Sequence, residues 1–299
     1  MTKTPFDSVV RDIQEVLKGW VAHTPLSKIR SDFEDLVRPV GRAVHASIEI
    51  ERAGGVPAAW VSAPEARTDR VILYLHGGGY MIGSLESHRD ICERLSRAAR
   101  ARVLQIDYRL APEHPFPAAL EDAVSAYRWL LDQGVSPDRV AIAGDSAGGG
   151  LTMSTLLSLR GSNDRLPACA ALMSPWVDLE CASGTMRSKA GVDPLVTAAL
   201  AGGMASAYVN GGNLRNPLVS PIHANLAGLP PMLIHLGSRE ALLDDSLGLA
   251  ANAGAADVDL ELKIWRGMIH VFQLFASRLD EGAASLDELG SFVGARMAI

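Results

Sequence analysis

The sequence predicts an α/β fold, in which a mostly parallel sheet is flanked by helices. Between residues 46 and 182, short apolar runs alternate with segments of helical periodicity, as parallel strands joined by helices require. Two glycine-rich segments, residues 77–79 and 144–150, each follow directly on an apolar run. Because ligands bind where parallel strands end, these two segments are the first candidates for a functional site.

The predicted elements follow in a regular order. Apolar residues recur at helical spacing within the first 45 residues, which predicts two amphipathic helices ahead of the sheet. Apolar segments predict the strands, with an antiparallel N-terminal edge; they are residues 47–50, 60–62, 71–75, 103–106, 140–143, 169–173, 232–236 and 260–264. Residues 183–215 interrupt this alternation with small residues and little strand character.

A G-x-S-x-G pentapeptide occupies residues 144–148, between the predicted strand 140–143 and a helical run at residues 151–159. Glycines on both sides of a serine let the chain make a sharp, strained turn that exposes the serine Oγ. Ser146 is therefore the predicted nucleophile. Taken alone, the pentapeptide is also compatible with a glycine-rich turn that has no catalytic role.

A second glycine cluster, H-G-G-G-Y at residues 76–80, follows the predicted strand 71–75. Consecutive glycines let backbone N–H groups point into a cavity, as an oxyanion hole for acyl transfer requires. A phosphate cradle is the alternative, but neither G-x-G-x-x-G nor G-x-x-x-x-G-K-[ST] follows a strand in this chain. The cluster therefore favours oxyanion stabilisation.

An ordered series of motifs extends over most of the chain. H-G-G-G at residues 76–79 and G-D-S-A-G-G at 144–149 are accompanied by D-Y-R-L-A-P-E-H-P-F-P-A-A at 107–119, S-P-W-V-D-L at 174–179 and N-P-L-V-S-P at 216–221. This series resembles that of bacterial carboxylesterases in the hormone-sensitive-lipase-like family of α/β-hydrolases. The resemblance implies an α/β-hydrolase fold with a helical cap.

The resemblance also implies how the chain is divided. Residues 1–45 would form N-terminal cap helices, residues 46–182 the first part of the core, residues 183–215 a second cap segment, and residues 216–299 the second part of the core. The cap is expected to cover the active-site cleft. The alternative is that the N-terminal helices pack elsewhere on the domain.

By position, the resemblance assigns the oxyanion hydrogen bonds to the backbone N–H groups of Gly78, Gly79 and Ala147. Gly77 remains a neighbouring candidate. His76 precedes these glycines, and it is expected to hold their loop by hydrogen bonds rather than to act as the base.

The base is expected late in the chain, because α/β-hydrolases place the serine, the acid and the histidine in that order. Three histidines follow the serine motif: His223, His235 and His270. His235 lies inside the apolar run 232–236 and His223 in a proline-rich connection, so both are expected to be structural. His270 follows the alternating strand 260–264 and matches the family's G-M-x-H-x-F segment, so it is the predicted base.

Three carboxylates after the strand 232–236 are candidates for the acid: Glu240, Asp244 and Asp245. Glu240 leads E-A-L-L-D, which fits the family's D/E-x-L-x-D pattern, although members more often carry Asp at this position. A glutamate can also accept the N–H of the base and fix its tautomer. Glu240 is therefore the predicted acid, and the two aspartates are expected to cap a helix that begins near Ser246.

These residues predict a serine hydrolase that needs no metal or organic cofactor. The resemblance implies a carboxylesterase that takes small-molecule esters with short to medium acyl chains and works through an acyl-enzyme. An amidase or arylformamidase would use the same triad, and a small-molecule receptor on this fold would keep the glycine motifs but lose the base. Four side chains are candidates for the substrate pocket or equally for the cap core: Tyr80, Met81, Met204 and Tyr208.

Composition disfavours several other partners. The net charge of −6 and the pI near 5.8 leave no basic footprint for nucleic acid or an anionic membrane surface. The N-terminus lacks the apolar core of a signal peptide, and no apolar run of membrane-spanning length occurs. Three cysteines without metal-ligand spacing favour a reducing cytoplasm: Cys92, Cys169 and Cys181. The resemblance further implies a homodimer through the last strand, near Leu260 to Ile264.

Overall fold

The computed structural model describes residues 4–21, 23–39 and 45–297. Within these ranges the chain forms an eight-stranded sheet in the order β1-β2-β4-β3-β5-β6-β7-β8. The strands are β1 (Ser47–Ala53), β2 (Val56–Ser62), β3 (Arg67–Leu75), β4 (Ala101–Ile106), β5 (Val140–Asp145), β6 (Cys169–Met173), β7 (Met232–Gly237) and β8 (Leu260–Trp265). β2 is antiparallel to β1 and β4, and all other neighbours are parallel. The predicted α/β sheet with an antiparallel N-terminal edge is confirmed.

Helices cover both faces of the sheet. They are α1 (Pro5–Lys18), α2 (Leu26–Val37), α3 (Arg89–Ala99), α4 (Ala118–Asp132), α5 (Ala147–Gly161), α6 (Gly184–Ser188), α7 (Ala198–Val209), α8 (Leu243–Ala255) and α9 (Asp280–Arg296). Successive side chains of a strand point to opposite faces. Val71, Leu73 and Leu75 of β3 therefore join the apolar layer that includes α4, α5 and α8, while Ile72 and Tyr74 join the layer that includes α3 and α9. No helix in the described ranges has the length and apolar character needed to cross a membrane.

The two helices predicted at the start of the chain are α1 and α2. Val9 and Ile13 of α1 and Phe33 and Val37 of α2 are buried in the same apolar layer as α3 and α9. The apolar stripe of each helix is thus covered by protein. Parts of the predicted segment 1–45 lie outside the described residues, namely residues 1–3, 22 and 40–44.

The predicted interruption of the alternation, residues 183–215, contains α6 and α7. α7 begins at an N-cap formed by Thr197, whose Oγ1 accepts the N–H of Leu200 at 3.2 Å. Ala201, Ala205 and Tyr208 are the most deeply buried side chains of α7. Residues 183–215, all of which the structure describes, contain no strand, which confirms the predicted break in the strand-helix alternation.

Candidate active site

The predicted catalytic side chains all follow the carboxyl ends of parallel strands. Ser146 follows β5, Glu240 follows β7, and His270 follows β8. Gly78 and Gly79 follow β3, which lies next to β5. Because parallel strands end at the same edge of a sheet, residues far apart in sequence meet there.

Ser146 has an unusual backbone conformation, with φ 51° and ψ −120°. Its N–H donates to the carbonyl of Met173 at 2.8 Å, and its own carbonyl accepts the N–H of Trp176 at 2.9 Å. A Cβ on Gly148 would collide with the carbonyl of Leu75, and a Cβ on Gly144 would collide with the backbone of Gly148. The strained turn therefore needs glycine on both sides of the serine, which explains the G-x-S-x-G spacing.

A chain of two hydrogen bonds joins the serine to the acid. Ser146 Oγ lies 2.9 Å from His270 Nε2, and His270 Nδ1 lies 2.8 Å from Glu240 Oε2. The other carboxylate oxygen of Glu240 accepts the N–H of Gly237 at 3.0 Å. His270 and Glu240 are both buried, so the contact between them is shielded from water.

The charge on Glu240 sets the protonation of His270. Burial alone would lower the pKa of His270, but the hydrogen bond to Glu240 and the carboxylate charge outweigh it and raise this pKa above its ordinary 6.5. The Nδ1 proton is donated to Glu240, which leaves Nε2 of the neutral ring free to accept the serine proton.

The two alternative acids occupy other positions. α8 begins at Leu243, so Asp244 and Asp245 lie in its first turn, and the expectation that they cap a helix starting near Ser246 is wrong. Asp245 accepts the N–H groups of Val177 and Asp178 at 3.0 and 2.9 Å, and burial raises its pKa to about 8. The Asp244 carboxylate accepts the N–H of Thr185 at 2.8 Å. Both aspartates thus hold the chain that follows β6, and neither contacts His270.

The other two late histidines lie away from Ser146. His235 is buried in β7, where Nδ1 bonds the hydroxyl of Ser285 at 2.9 Å. His223 lies near the Glu180 carboxylate, at 3.3 Å. The position predicted for His235, inside a core strand, is confirmed. A structural role for His223 stays a prediction.

The glycine loop presents free backbone donors beside the serine. Gly78 and Gly79 have φ values of 111° and 61°, which a residue with a Cβ rarely adopts. In the part of the chain that the structure describes, the N–H groups of Gly78, Gly79 and Ala147 donate to no protein acceptor. The N–H of Gly77, in contrast, donates to Asp145 Oδ1 at 2.9 Å. Gly77 is therefore already engaged.

The Asp145 side chain holds the glycine loop in place by a hydrogen bond to Gly77, a role that the sequence did not predict. Its buried carboxylate accepts the hydroxyl of Tyr74 at 2.7 Å and the N–H of Gly77, and it lies 3.2 Å from Nε2 of His88. Burial alone would raise the pKa of Asp145, but the charge and hydrogen bond of His88, together with Tyr74, hold it below 3.8. The residue before the nucleophile is thus tied to the glycine loop.

His76 supports the same loop. Its Nδ1 bonds the carbonyl of Gly77 at 2.7 Å, and its ring stacks on Tyr108 with centroids 4.2 Å apart. Burial and the neighbouring His88 lower the pKa of His76 to about 3. These contacts place His76 under the loop, as the sequence predicted, and away from Ser146 Oγ.

A small apolar cavity, with about 70 Å³ of space for the centre of a water-sized sphere, lies beside Ser146. Its walls include side chains from both segments predicted as cap, among them Trp20, Phe33, Leu195, Val196 and Leu200. No motif marked these five residues in the sequence.

Of the four predicted pocket residues, one lies on the cavity wall and three do not. Met204 lies on the cavity wall, where its Sδ packs against Gly79. Tyr80 and Tyr208 stack on each other with centroids 3.7 Å apart, and both are buried behind the wall. Met81 packs against the apolar layers, and its carbonyl accepts Nε of Arg30 at 2.9 Å. Only Met204 of the four therefore faces the cavity in the described structure.

Comparison with known proteins identifies the family. Residues 72–274 match the model of a family described by the alpha/beta hydrolase fold. The chain belongs to this family. An acetyl-hydrolase from Streptomyces hygroscopicus is 43% identical over 245 residues, which are 82% of each chain. An esterase from Acinetobacter venetianus is 35% identical over 242 residues, which are 81% of this chain and 80% of that one.

Solved structures agree with this assignment. The crystal structure of an esterase from the bacterial hormone-sensitive lipase family is 42% identical, with a TM-score of 0.95 over the full length of both chains. The predicted membership of the hormone-sensitive-lipase-like family is confirmed. The chain is a carboxylic ester hydrolase, and the comparisons do not favour the amidase alternative.

Replacing Asp145 by Asn tests the anchor of the glycine loop. An asparagine that keeps its oxygen towards Tyr74 and Gly77 turns its NH₂ group towards Nε2 of His88 and loses the carboxylate charge. We therefore expect a loss of about 1–3 kcal/mol in the free energy of unfolding. Asp164→Asn is the matched control, because Asp164 pairs with Arg128 at the surface, where an ion pair contributes about 0–1 kcal/mol. Urea unfolding followed by circular dichroism measures both changes. Equal losses would contradict the anchoring role.

Proposed function

We propose that Ser146 is the nucleophile, His270 the general base and Glu240 the acid in the hydrolysis of short- to medium-chain carboxylic esters. The observation that carries this proposal is the pair of hydrogen bonds, 2.9 Å and 2.8 Å long, that joins the three side chains. A serine, a base and an orienting acid in this order form the arrangement required for nucleophilic acyl transfer.

In the first half of the reaction, Ser146 Oγ attacks the ester carbonyl carbon while His270 Nε2 takes the hydroxyl proton. The carbonyl π electrons move to oxygen and give a tetrahedral oxyanion. As this intermediate collapses, His270 returns the proton to the alcohol oxygen, which leaves with the electrons of the C–O bond. Ser146 is then esterified by the acyl group.

In the second half, water attacks the acyl-enzyme while His270 takes one of its protons. The second tetrahedral intermediate collapses, and the proton returns to Ser146 Oγ as the carboxylic acid leaves. Glu240 keeps the His270 ring oriented and stabilises its positive charge in both halves.

The N–H groups of Gly78, Gly79 and Ala147 are proposed to bind the oxyanion. Support comes from their unused donors and from the place of both glycines on the wall beside Ser146. Donors fixed in a dry site stabilise developing charge strongly, and loss of one typically costs about 2.7–4 kcal/mol. The neighbouring Gly77 is excluded from this role because Asp145 accepts its N–H.

The cavity supports an apolar acyl or alcohol group of limited size. Its walls are almost entirely apolar, as expected for a pocket that binds by burial of hydrocarbon. We propose that residues 1–45 and 183–215 form the cap, since both contribute to these walls. The similarity to a protein named acetyl-hydrolase supports short acyl chains.

A cytoplasmic location is proposed from the cysteines. All three are free thiols, and Cys92 and Cys169 are buried. Burial raises the pKa of Cys169 and of Cys181 to about 12, which makes these thiols poor nucleophiles. Unpaired, unreactive thiols are typical of proteins from a reducing compartment.

The edge of the sheet supports a homodimer. β8 hydrogen-bonds only to β7 within the described chain, so its outer edge is open to another strand. Ile264 exposes 43% of its surface at this edge. We propose that two copies pair through β8, near Leu260 to Ile264.

Hydrolysis of p-nitrophenyl esters from acetate to palmitate tests the proposed activity. We expect the highest kcat/KM at short acyl chains and almost complete loss in Ser146→Ala, because no other group can form the acyl-enzyme. Ser162→Ala, at the exposed end of α5, is the control and should behave as the wild type. More than a few per cent of activity in Ser146→Ala would overturn the assignment.

The pH profile tests the acid. Only neutral His270 accepts the serine proton, so kcat/KM falls as the pH drops through the raised pKa. In Glu240→Gln the carboxylate charge is lost, so this pKa decreases and the acidic limb moves to lower pH. The value of kcat/KM on the plateau above this pKa should also fall, by up to about 10⁴-fold. Asp244→Asn, at the alternative acid, is the control; a shift there rather than in Glu240→Gln would contradict the proposal.

Sedimentation equilibrium at micromolar concentration tests the dimer. We expect the wild type to be dimeric and Ile264→Lys to be monomeric, because an exposed apolar side chain at the pairing edge is replaced by a charged one. Ile50→Lys is the matched control, since Ile50 is 82% exposed on β1, at the opposite edge. A wild-type protein that is strictly monomeric would refute the pairing.

A further inference from the structure

Ala241, the residue that follows Glu240, is held at both its N–H and its carbonyl by residues of segment 183–215. The N–H of Ala241 donates to Asp193 Oδ2 at 2.7 Å, and the carbonyl of Ala241 accepts the hydroxyl of Thr185 at 2.9 Å. Ala241 itself is buried. The backbone beside the acid is thus fixed by a part of the chain more than forty residues away in sequence.

The second oxygen of Asp193 binds the cavity wall. Asp193 Oδ1 accepts the N–H groups of Leu195 at 2.9 Å and of Val196 at 3.1 Å, and both of these residues line the cavity. Asp193 is 3% exposed. Its carboxylate therefore hydrogen-bonds both to the wall of the cavity and to the backbone next to Glu240.

Burial of a carboxylate is unfavourable unless hydrogen bonds replace its water. Asp193 has three backbone N–H donors, and its negative charge also helps to raise the pKa of His270. The hydrogen bonds fix the geometry of the backbone on both sides of this carboxylate. It directs two oxygens to two separate segments of backbone.

We infer that Asp193 is a positioning residue, which holds Glu240 against His270 and couples the cavity wall to the triad. This inference rests on the proposed role of Glu240 as the acid. A glutamate has one more rotatable bond than an aspartate, so its carboxylate is placed accurately only if its backbone is fixed. A displacement of about 1 Å in a catalytic arrangement can lower the rate by about 10²-fold.

Asp193→Ala removes both connections, and p-nitrophenyl acetate hydrolysis measures the effect. We expect kcat/KM to fall by about 10- to 100-fold while circular dichroism still reports a folded protein. Thr197→Ala is the matched control, since it removes the N-cap of α7 in the same segment without touching Ala241. It should leave kcat within a small factor of the wild type.

Asp193→Ala in a Glu240→Gln background distinguishes an effect on the position of Glu240 from a general loosening of the active site. If Asp193 acts through Glu240, Asp193→Ala lowers kcat/KM much less in that background than in the wild type. Equal falls in both backgrounds would overturn the inference, as would a fall in Thr197→Ala that equals that of Asp193→Ala.

A second variant covers the case in which Asp193→Ala does not fold. Asp193→Asn occupies the same space and keeps one acceptor oxygen, so it should fold and show a smaller loss with the same dependence on Glu240. Wild-type activity in Asp193→Asn and Asp193→Ala, with activity lost in Glu240→Gln, would contradict this inference alone. Full activity in Glu240→Gln would instead refute the proposed function on which it rests.

Discussion

The backbone conformation of Ser146 is the constraint on which the site depends. With φ at 51°, the chain turns sharply from β5 into α5 and presents Oγ at the edge where β7 and β8 also end. Hydrogen bonds to Met173 and Trp176 hold this turn, and the space it needs excludes a Cβ at Gly144 and Gly148. A strained residue persists only where its surroundings determine it in this way.

Around this turn, buried polar groups form two series of hydrogen bonds. One runs from His270 to Glu240 and, through Ala241, to Asp193 and the cavity wall. The other runs from Asp145 to the loop of Gly77. In both series, carboxylates are placed by backbone N–H groups rather than by surface ion pairs. Such contacts fix orientation in a dry environment, where an unpaired polar group would be costly.

Much of the fold and of the proposed triad was predictable, because strand periodicity, glycine spacing and chain order can be read directly from the sequence. Ser146 and His270 follow strands and lie in recognisable motifs, and Glu240 fits a short pattern. The contacts of Asp193 and Asp145 were not predictable, since they join segments that only the folded chain brings together. Asp245 was misjudged for the same reason: its partners are the backbone N–H groups after β6, not the start of its own helix.

Covalent labelling tests most directly the claim that this strained turn creates one activated serine. Diethyl p-nitrophenyl phosphate should transfer its diethyl phosphoryl group to Ser146 Oγ with release of p-nitrophenol. Intact mass spectrometry and peptide mapping should then show one adduct per chain, on Ser146, and none in Ser146→Ala. An adduct at another residue, or labelling that continues in Ser146→Ala, would contradict the account.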